Sequence, residues 1–345
     1  MKVGNPIIEV RDLSVEFKIR GRSKNSGIVS AVDNVSFSIW PGETFALVGE
    51  SGCGKTTLGK AILGRVPTTS GSIKFSGTEI SSASRTEWRE LHGNMQLIFQ
   101  NPFSSLNPRM TIRDIIGEPL RVRGAKGETL DKRVNQLLEM VRLPKSVGLR
   151  YPHAFSGGQR QRVVIARALA LSPKFIVADE PVSALDVSIQ AQIIILLQEL
   201  QRELGISYLF IAHNLAVVRQ IADRVAVMYL GRIVESADRE TLYKEPQHPY
   251  TKALLSAAPI PDPSYVRPKR IILEGDPPSP LNPPSGCRFN TRCSQVMEVC
   301  KVDTPTTVST SKNHEVACWG VGSETDIEGG KTVQLREKKV YDDHS

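Results

Sequence analysis

Five short runs are apolar, or alternate apolar with polar residues, over the length of a strand: residues 35–39, 44–49, 174–179, 207–213 and 224–229. Two other stretches repeat at helical spacing. Leu130, Val134, Leu137, Leu138 and Val141 share one face, as do Ile189, Ile193, Leu196, Leu197, Leu200 and Leu204. Strands alternating with amphipathic helices predict an α/β fold with a largely parallel sheet. Between Gln100 and Ser156 the strand signals fade and helical periodicity with Pro and Gly breaks takes over, so a helical insertion is expected over about 100–165. Past residue 245 the pattern changes again. Pro259, Pro261, Pro263, Pro268, Pro277, Pro278, Pro280, Pro283 and Pro284 argue against regular helix or strand and predict a small irregular domain.

These breaks divide the chain into a large unit at 6–245, an extension at 246–320 and a polar tail at 321–345 expected to be mobile. A length of 345 residues suits one large and one small unit, and 40% hydrophobic with 23% charged residues is ordinary for a globular protein. The first ten residues lack a secretory pattern, and no apolar run reaches the length of a membrane span, so a cytoplasmic chain is expected. The formal charge of +8 leaves three readings open: nucleic acid, acidic lipid, or a basic soluble surface. Charge alone does not choose, because Lys and Arg are spread along the chain.

Gly49-Glu50-Ser51-Gly52-Cys53-Gly54-Lys55-Thr56 fits the phosphate-cradling P-loop, and it follows an apolar strand and opens a helical run at Thr57. The glycines let backbone N–H groups face the β- and γ-phosphates at a helix start. Lys55 is expected to neutralise phosphate charge and Thr56 to ligate Mg²⁺, and Thr57 completes the ATP-binding candidates. Cys53 makes alkylation of the loop conceivable. The run from Lys174 ends in Asp179-Glu180, two adjacent carboxylates that are costly unless a cation is shared there. Asp179 is the candidate Mg²⁺ holder and Glu180 the group that polarises the attacking water. Ser156-Gly157-Gly158-Gln159 forms a second anion-binding turn before an apolar helix. One P-loop with two such turns predicts that the second closes on a nucleotide held by another chain.

The P-loop, Gln100, Ser156 to Gln159, Asp179-Glu180, Ser183-Ala184-Leu185-Asp186 and His213 together resemble the ordered motif set of ABC ATPases. The resemblance implies a P-loop ABC-type nucleotide-binding domain with a helical subdomain. It implies that Gln100 senses the γ-phosphate and joins Thr56 and Asp179 at Mg²⁺, that Asp186 reaches across a dimer, and that His213 joins Glu180 and Gln100 in catalysis. It also makes Phe17, at the end of the first strand-like run, the adenine-stacking candidate, with core packing as its other reading. Cys53 and Phe155 depart from the commoner Ser and Leu without removing a group the chemistry needs.

Asn101-Pro102-Phe103-Ser104-Ser105-Leu106-Asn107-Pro108-Arg109-Met110, His248-Pro249-Tyr250-Thr251 with Leu254-Leu255, and Gly275-Asp276-Pro277-Pro278-Ser279-Pro280 resemble the ATPases of oligopeptide and dipeptide importers, a branch that includes nickel systems. The implied partners are a second homologous ATPase in a heterodimer, two transmembrane permease subunits docking at the helical insertion, and an extracytoplasmic substrate-binding protein. The implied place is the cytoplasmic face of the membrane. Peptide is the expected cargo, with nickel or oligosaccharide as alternatives. Cys287, Cys293, Cys300 and Cys318 do not have the spacing of paired zinc-ribbon ligands. The resemblance implies a 4Fe-4S cluster on them, with zinc and metal-free thiols as alternatives. A soluble repair ATPase of this class would need a coiled coil between Lys55 and Ser156, and a translation factor two cassettes. Neither is present in this sequence, so no nucleic-acid partner is expected.

Overall fold

The computed structural model of the chain describes residues 4–19, 27–100, 105–257 and 270–321. The tail from 322 onward lies outside the described residues, as do Asn101, Pro102, Phe103, Ser104, Pro259, Pro261, Pro263 and Pro268.

Two sheets organise these residues. β1 (Ile8–Ile19), β2 (Gly27–Ile39), β4 (Ser70–Phe75) and β5 (Thr78–Glu79) form an antiparallel sheet in the order β2-β1-β4-β5. β3 (Thr44–Val48), β6 (Met95–Ile98), β7 (Phe175–Asp179), β8 (Ser207–Ala212), β9 (Arg224–Tyr229), β10 (Arg232–Asp238), β11 (Val308–Ser311) and β12 (His314–Val316) form the main sheet, ordered β11-β12-β10-β9-β3-β8-β7-β6. Its β9-β3-β8-β7-β6 portion is parallel.

The near-continuous apolar sequences of β3, β7 and β8 follow from burial on both faces of a parallel sheet. Because side chains alternate along a strand, Ala46, Val48, Ile176, Ala178, Tyr208 and Phe210 enter one core. Phe45, Leu47, Phe175, Val177, Leu209 and Ile211 enter the other, shared with the antiparallel sheet.

Helices connect the strands: α1 (Lys55–Ile62), α2 (Arg85–Asn94), α3 (Ile112–Val122), α4 (Gly127–Met140), α5 (Gly157–Leu169), α6 (Val187–Leu204), α7 (Leu215–Ile221) and α8 (Arg239–Lys244). The predicted helical insertion is α3 and α4 packed on α5. Arginines near the second anion turn tie it together. Arg167 donates to Glu118 at 2.7 Å and to the Ser105 carbonyl at 3.3 Å, and Arg162 donates to the Val141 carbonyl at 2.9 Å.

The segment after residue 245 has more regular structure than its prolines suggested. Pro277 to Pro284 do run without helix or strand, but α9 (Pro249–Ala257), α10 (Glu298–Val302) and the β11–β12 hairpin flank them. The hairpin extends the main sheet, with Val316 opposite Glu235 of β10. Glu235 explains this attachment. Its buried carboxylate accepts from the Gln247 N–H at 2.7 Å and the His248 N–H at 3.0 Å, and faces His314 Nε2 at 2.8 Å. A buried carboxyl satisfied by three partners from two flanking segments ties the extension to the sheet.

Candidate nucleotide site

Parallel strands in register end at a common edge. Val48 lies opposite Ala212, Ile211 opposite Asp179, and Ala178 opposite Ile98. The residues that follow those ends are therefore neighbours: Gly49, His213, Glu180 and, two places past Ile98, Gln100. Ligands of open α/β sheets bind outside the carboxyl ends of the strands.

The P-loop turns from β3 into α1 there. Gly54 has φ +107°, and a Cβ on it would stand 2.0 Å from the Ala31 carbonyl oxygen, so no other residue fits. Gly54 caps α1 without a side-chain bond, and no acidic residue occupies the first turn, which leaves the positive end of the helix for an anion. Lys55, 5% exposed, donates from Nζ to the carbonyls of Gly49 at 2.8 Å and Glu50 at 2.9 Å. Ser51 and Gly52 are exposed at the tip, and Thr57 is half-buried in α1. Cys53 is buried, which pushes its thiol pKa up and argues against the alkylation raised from the sequence.

The two carboxylates at the end of β7 have separate surroundings. Thr56 Oγ1 donates to Asp179 Oδ1 at 2.9 Å. Burial and the neighbouring Glu180 hold the Asp179 carboxyl above its ordinary range, a strain that a cation at this point would relieve. Glu180 has φ +46°, a left-handed conformation that bulky residues avoid. Gln100 Nε2 donates to Glu180 Oε2 at 2.8 Å, while His213 Nδ1 lies 3.3 Å from the same oxygen. The three residues assigned to catalysis from sequence thus meet at one atom.

Ser156 caps α5 in a reciprocal box. Its hydroxyl accepts from the Gln159 N–H at 3.4 Å, and Gln159 Oε1 accepts from the Ser156 N–H at 3.1 Å. A Cβ on Gly157 would lie 3.2 Å from Leu185, and one on Gly158 would lie 2.5 Å from Ile189, so the turn is packed against the Ser183–Asp186 loop. Asp186 itself caps α6, accepting from the Ile189 N–H at 3.1 Å and from Ser188 at 2.9 Å. Ser156 and Asp186 are exposed. Phe17 is 42% exposed, which removes the core-packing reading. It pairs with Val29, two residues from Ala31 whose carbonyl abuts Gly54.

Cys287, Cys293, Cys300 and Cys318 line one cavity of about 20 Å³, room for roughly one water. Burial and the neighbouring thiols push Cys287 up to about 11. Four thiols are the soft donor set that zinc or an iron-sulfur cluster takes. Among the described residues, however, no group of three or more His, Cys, Asp or Glu side chains is placed to hold a metal ion.

Two residues at the nucleotide edge were not singled out from sequence. Tyr250 accepts from the Glu50 N–H at 2.9 Å, and Arg292 pairs with the Glu50 carboxylate at 2.8 Å. Tyr250 stood in a motif with no chemistry attached to it, and Arg292 carries no local signal.

Comparison with known proteins agrees with this geometry. The family model of ABC transporters matches residues 32–183, and that of the oligopeptide/dipeptide transporter C-terminal region matches residues 234–300. The oligopeptide transport ATP-binding protein OppF of Salmonella typhimurium is 51% identical over 319 residues, covering 90% of this chain and 95% of the relative. OppF of Haemophilus influenzae is 49% identical over 320 residues, covering 90% and 96%. Among solved structures, the dimeric post-hydrolysis state of the ATP-binding cassette MJ0796 bound to ADP and Pi aligns at TM-score 0.60 and 29% identity, over 67% of this chain and 98% of that one. The structure of cbiO1 from Clostridium perfringens aligns at TM-score 0.62 and 27% identity, over 70% and 92%. The chain is a P-loop ATPase, and its family implies ATP as the nucleotide with Mg²⁺. It belongs to the ATP-binding subunits of ABC transporters, in the oligopeptide/dipeptide transporter family.

Proposed function

We propose that this chain energises peptide import by hydrolysing ATP, with Glu180 polarising the attacking water. The observation that carries the reading is the meeting of Gln100 and His213 on Glu180 Oε2, one residue from the Thr56–Asp179 bond. Lys55 already points its donors at loop carbonyls and exchanges them for phosphate oxygens when ATP enters. Thr56 and Asp179, with Gln100, are the residues that would hold Mg²⁺, which would supply neutralisation of phosphate charge. Gln100 orients the Glu180 carboxylate toward that position, and His213 stands ready to stabilise charge beside it. Phe17, exposed near Gly54, stacks on adenine.

In this account Ser156, Gly157, Gly158 and Gln159 close over the nucleotide of a second, similar ATPase, and Asp186 meets the partner beside them. Exposure of Ser156 and Asp186 supports that pairing, as does the dimeric cassette among its structural relatives. Two permease subunits would receive the motion at the helical insertion, and an extracytoplasmic binding protein would deliver cargo. Among the described residues no helix is long and apolar enough to cross a membrane, which suits a peripheral subunit on the cytoplasmic face. The relatives' names favour oligopeptides over nickel or oligosaccharide. The four cysteines would hold a structural iron-sulfur cluster, with zinc as the alternative. The lining of one cavity by all four thiols is what supports a shared metal.

The test is uptake in proteoliposomes that carry this chain, its partner ATPase and the permeases, supplied with the binding protein. Labelled tetrapeptide should accumulate only with MgATP. Accumulation of nickel or an oligosaccharide instead would reassign the cargo, and ATPase activity stimulated by DNA or ribosomes would reject the transport reading.

A further inference from the structure

Glu50, the second residue of the P-loop, is held from three directions. Its carbonyl accepts from Lys55 Nζ at 2.9 Å, a bond internal to the loop. Its N–H donates to the Tyr250 hydroxyl at 2.9 Å. Its carboxylate takes the Arg292 guanidinium through both oxygens, Nη1 to Oε2 at 2.8 Å and Nη2 to Oε1 at 3.1 Å. Tyr250 and Arg292 lie 200 and 242 residues downstream, in the segment beyond the ATPase motifs.

Both grips are made by side chains packed into the fold. The Arg292 side chain is 7% exposed and Glu50 28%, so the two-pronged pair is partly screened by solvent on the Glu50 side, and such a fork fixes orientation as well as distance. Tyr250 is buried edge-on against Tyr229 with centroids 4.7 Å apart, and Phe289 packs on both rings at 5.2 and 5.3 Å. Phe289 precedes and Arg292 ends one short turn, Asn290–Arg292. Arg288, just before it, bonds Asp33 and the Leu230 carbonyl. The next residue, Gly231, donates to the Cys53 carbonyl of the P-loop at 2.8 Å. The extension therefore braces the loop at Glu50 directly and at Cys53 through the β9–β10 turn.

A phosphate loop with an exposed tip must be ordered when it binds, and that entropy is lost from the affinity unless the loop is already held. We propose that Arg292 and Tyr250 are positioning residues for ATP binding, through which the C-terminal extension holds the P-loop at Glu50 in its phosphate-receiving form. This rests on the reading of the P-loop as the ATP site. Arg292 and Tyr250 act on nucleotide through Glu50 and take no part in the chemical step.

The test uses the assembled transporter with Arg292→Gln, Arg292→Lys, Tyr250→Phe, Glu50→Gln and the Arg292→Gln/Glu50→Gln double variant. ATP KM, kcat and equilibrium binding of a fluorescent ATP analogue with Mg²⁺ are measured. Arg292→Gln should raise KM and Kd about fivefold to tenfold with a much smaller change in kcat. Arg292→Lys should recover part of the loss, because an ammonium cannot span both carboxylate oxygens. Tyr250→Phe should weaken binding in the same direction, and the double variant should be no worse than Arg292→Gln alone.

Glu50→Gln separates tethering from plain charge. Removing a negative charge near the phosphates would tighten binding if charge were all that mattered, whereas losing the tether weakens it. If Arg292→Gln does not assemble, Glu50→Gln and Tyr250→Phe carry the test, since neither alters the extension's apolar packing. Unchanged KM in the single variants, tighter binding in Glu50→Gln, or additive losses in the double variant would overturn the proposal. A wild-type complex that fails to bind the analogue would instead remove the ATP-site reading beneath it.

Discussion

Thr56 Oγ1 donates a 2.9 Å hydrogen bond to Asp179 Oδ1, joining the first turn of α1 to the last residue of β7 across 123 residues of sequence. A buried carboxyl held by a single hydroxyl is poorly compensated as an anion, and burial accordingly raises its pKa, with Glu180 adding to the effect. The sign follows from proton counting. Between the unfolded and folded pKa values the folded chain binds more protons, so the favourable contribution is present at low pH and lost as pH rises through the folded value. At neutral pH Asp179 costs stability unless a cation is beside it.

Asp179→Asn should therefore raise the melting temperature of the nucleotide-free protein at neutral pH while lowering Mg²⁺ affinity about 10- to 100-fold. Thermal unfolding with and without MgATP checks both halves. A variant less stable without nucleotide, or one with unaltered Mg²⁺ dependence, would contradict the assignment.

Gly158 sits where a Cβ would come within 2.5 Å of Ile189 Cγ2. Gly158→Ala should force α5 away from α6 and cost about 1–3 kcal/mol of stability. It should also displace Ser156 relative to Asp186, so ATPase activity of the assembled transporter should fall more than its ATP binding. Urea unfolding and a turnover assay measure the two effects.

His248 is buried, and that burial, reinforced by Lys252, lowers its pKa to about 4 from 6.5. The unfolded chain takes up this proton near pH 6.5 and the folded chain only near 4. Between those values the unfolded state binds more protons, so stability is present above pH 6.5 and lost on acidification, by at most about 1.4 kcal/mol per pH unit. His248→Asn should reduce the stability lost between pH 7 and 5.5 by about 1 kcal/mol. Denaturant unfolding at the two pH values reads it directly.

The thiol of Cys53, 4% exposed with its pKa raised by burial, should resist alkylation at neutral pH. Mass spectrometry after brief iodoacetamide treatment of the folded chain should find Cys53 unmodified, and modification at the rate of an exposed thiol would contradict its placement.

The parallel centre was legible in the sequence because its signals are local. β3, β7 and β8 are apolar runs ended by chemistry, and Gly54 and the Asp179-Glu180 pair punctuate them within a few residues. The helix α4 was legible for the same reason, through the periodicity of Leu130, Val134, Leu137 and Leu138. The β11–β12 hairpin was not. Val308–Ser311 and His314–Val316 contain few apolar residues, and their place is set by pairing with β10 and by the buried Glu235–His314 contact, both long-range. The meeting of Gln100 and His213 on Glu180 depends on strand order and on a left-handed turn at a non-glycine residue, which spacing does not encode. Arg292 and Glu50, 242 residues apart, are linked only by the tertiary fold.

The measurement that bears most directly on the central claim is steady-state ATP hydrolysis by the assembled transporter carrying Glu180→Gln, with MgATP binding followed in the same preparation. Loss of turnover by about 10²-fold or more, with nucleotide still bound, is the predicted result. Brisk turnover by that variant would contradict the role of Glu180 and, with it, the reading of the Gln100–Glu180–His213 meeting as the hydrolytic centre.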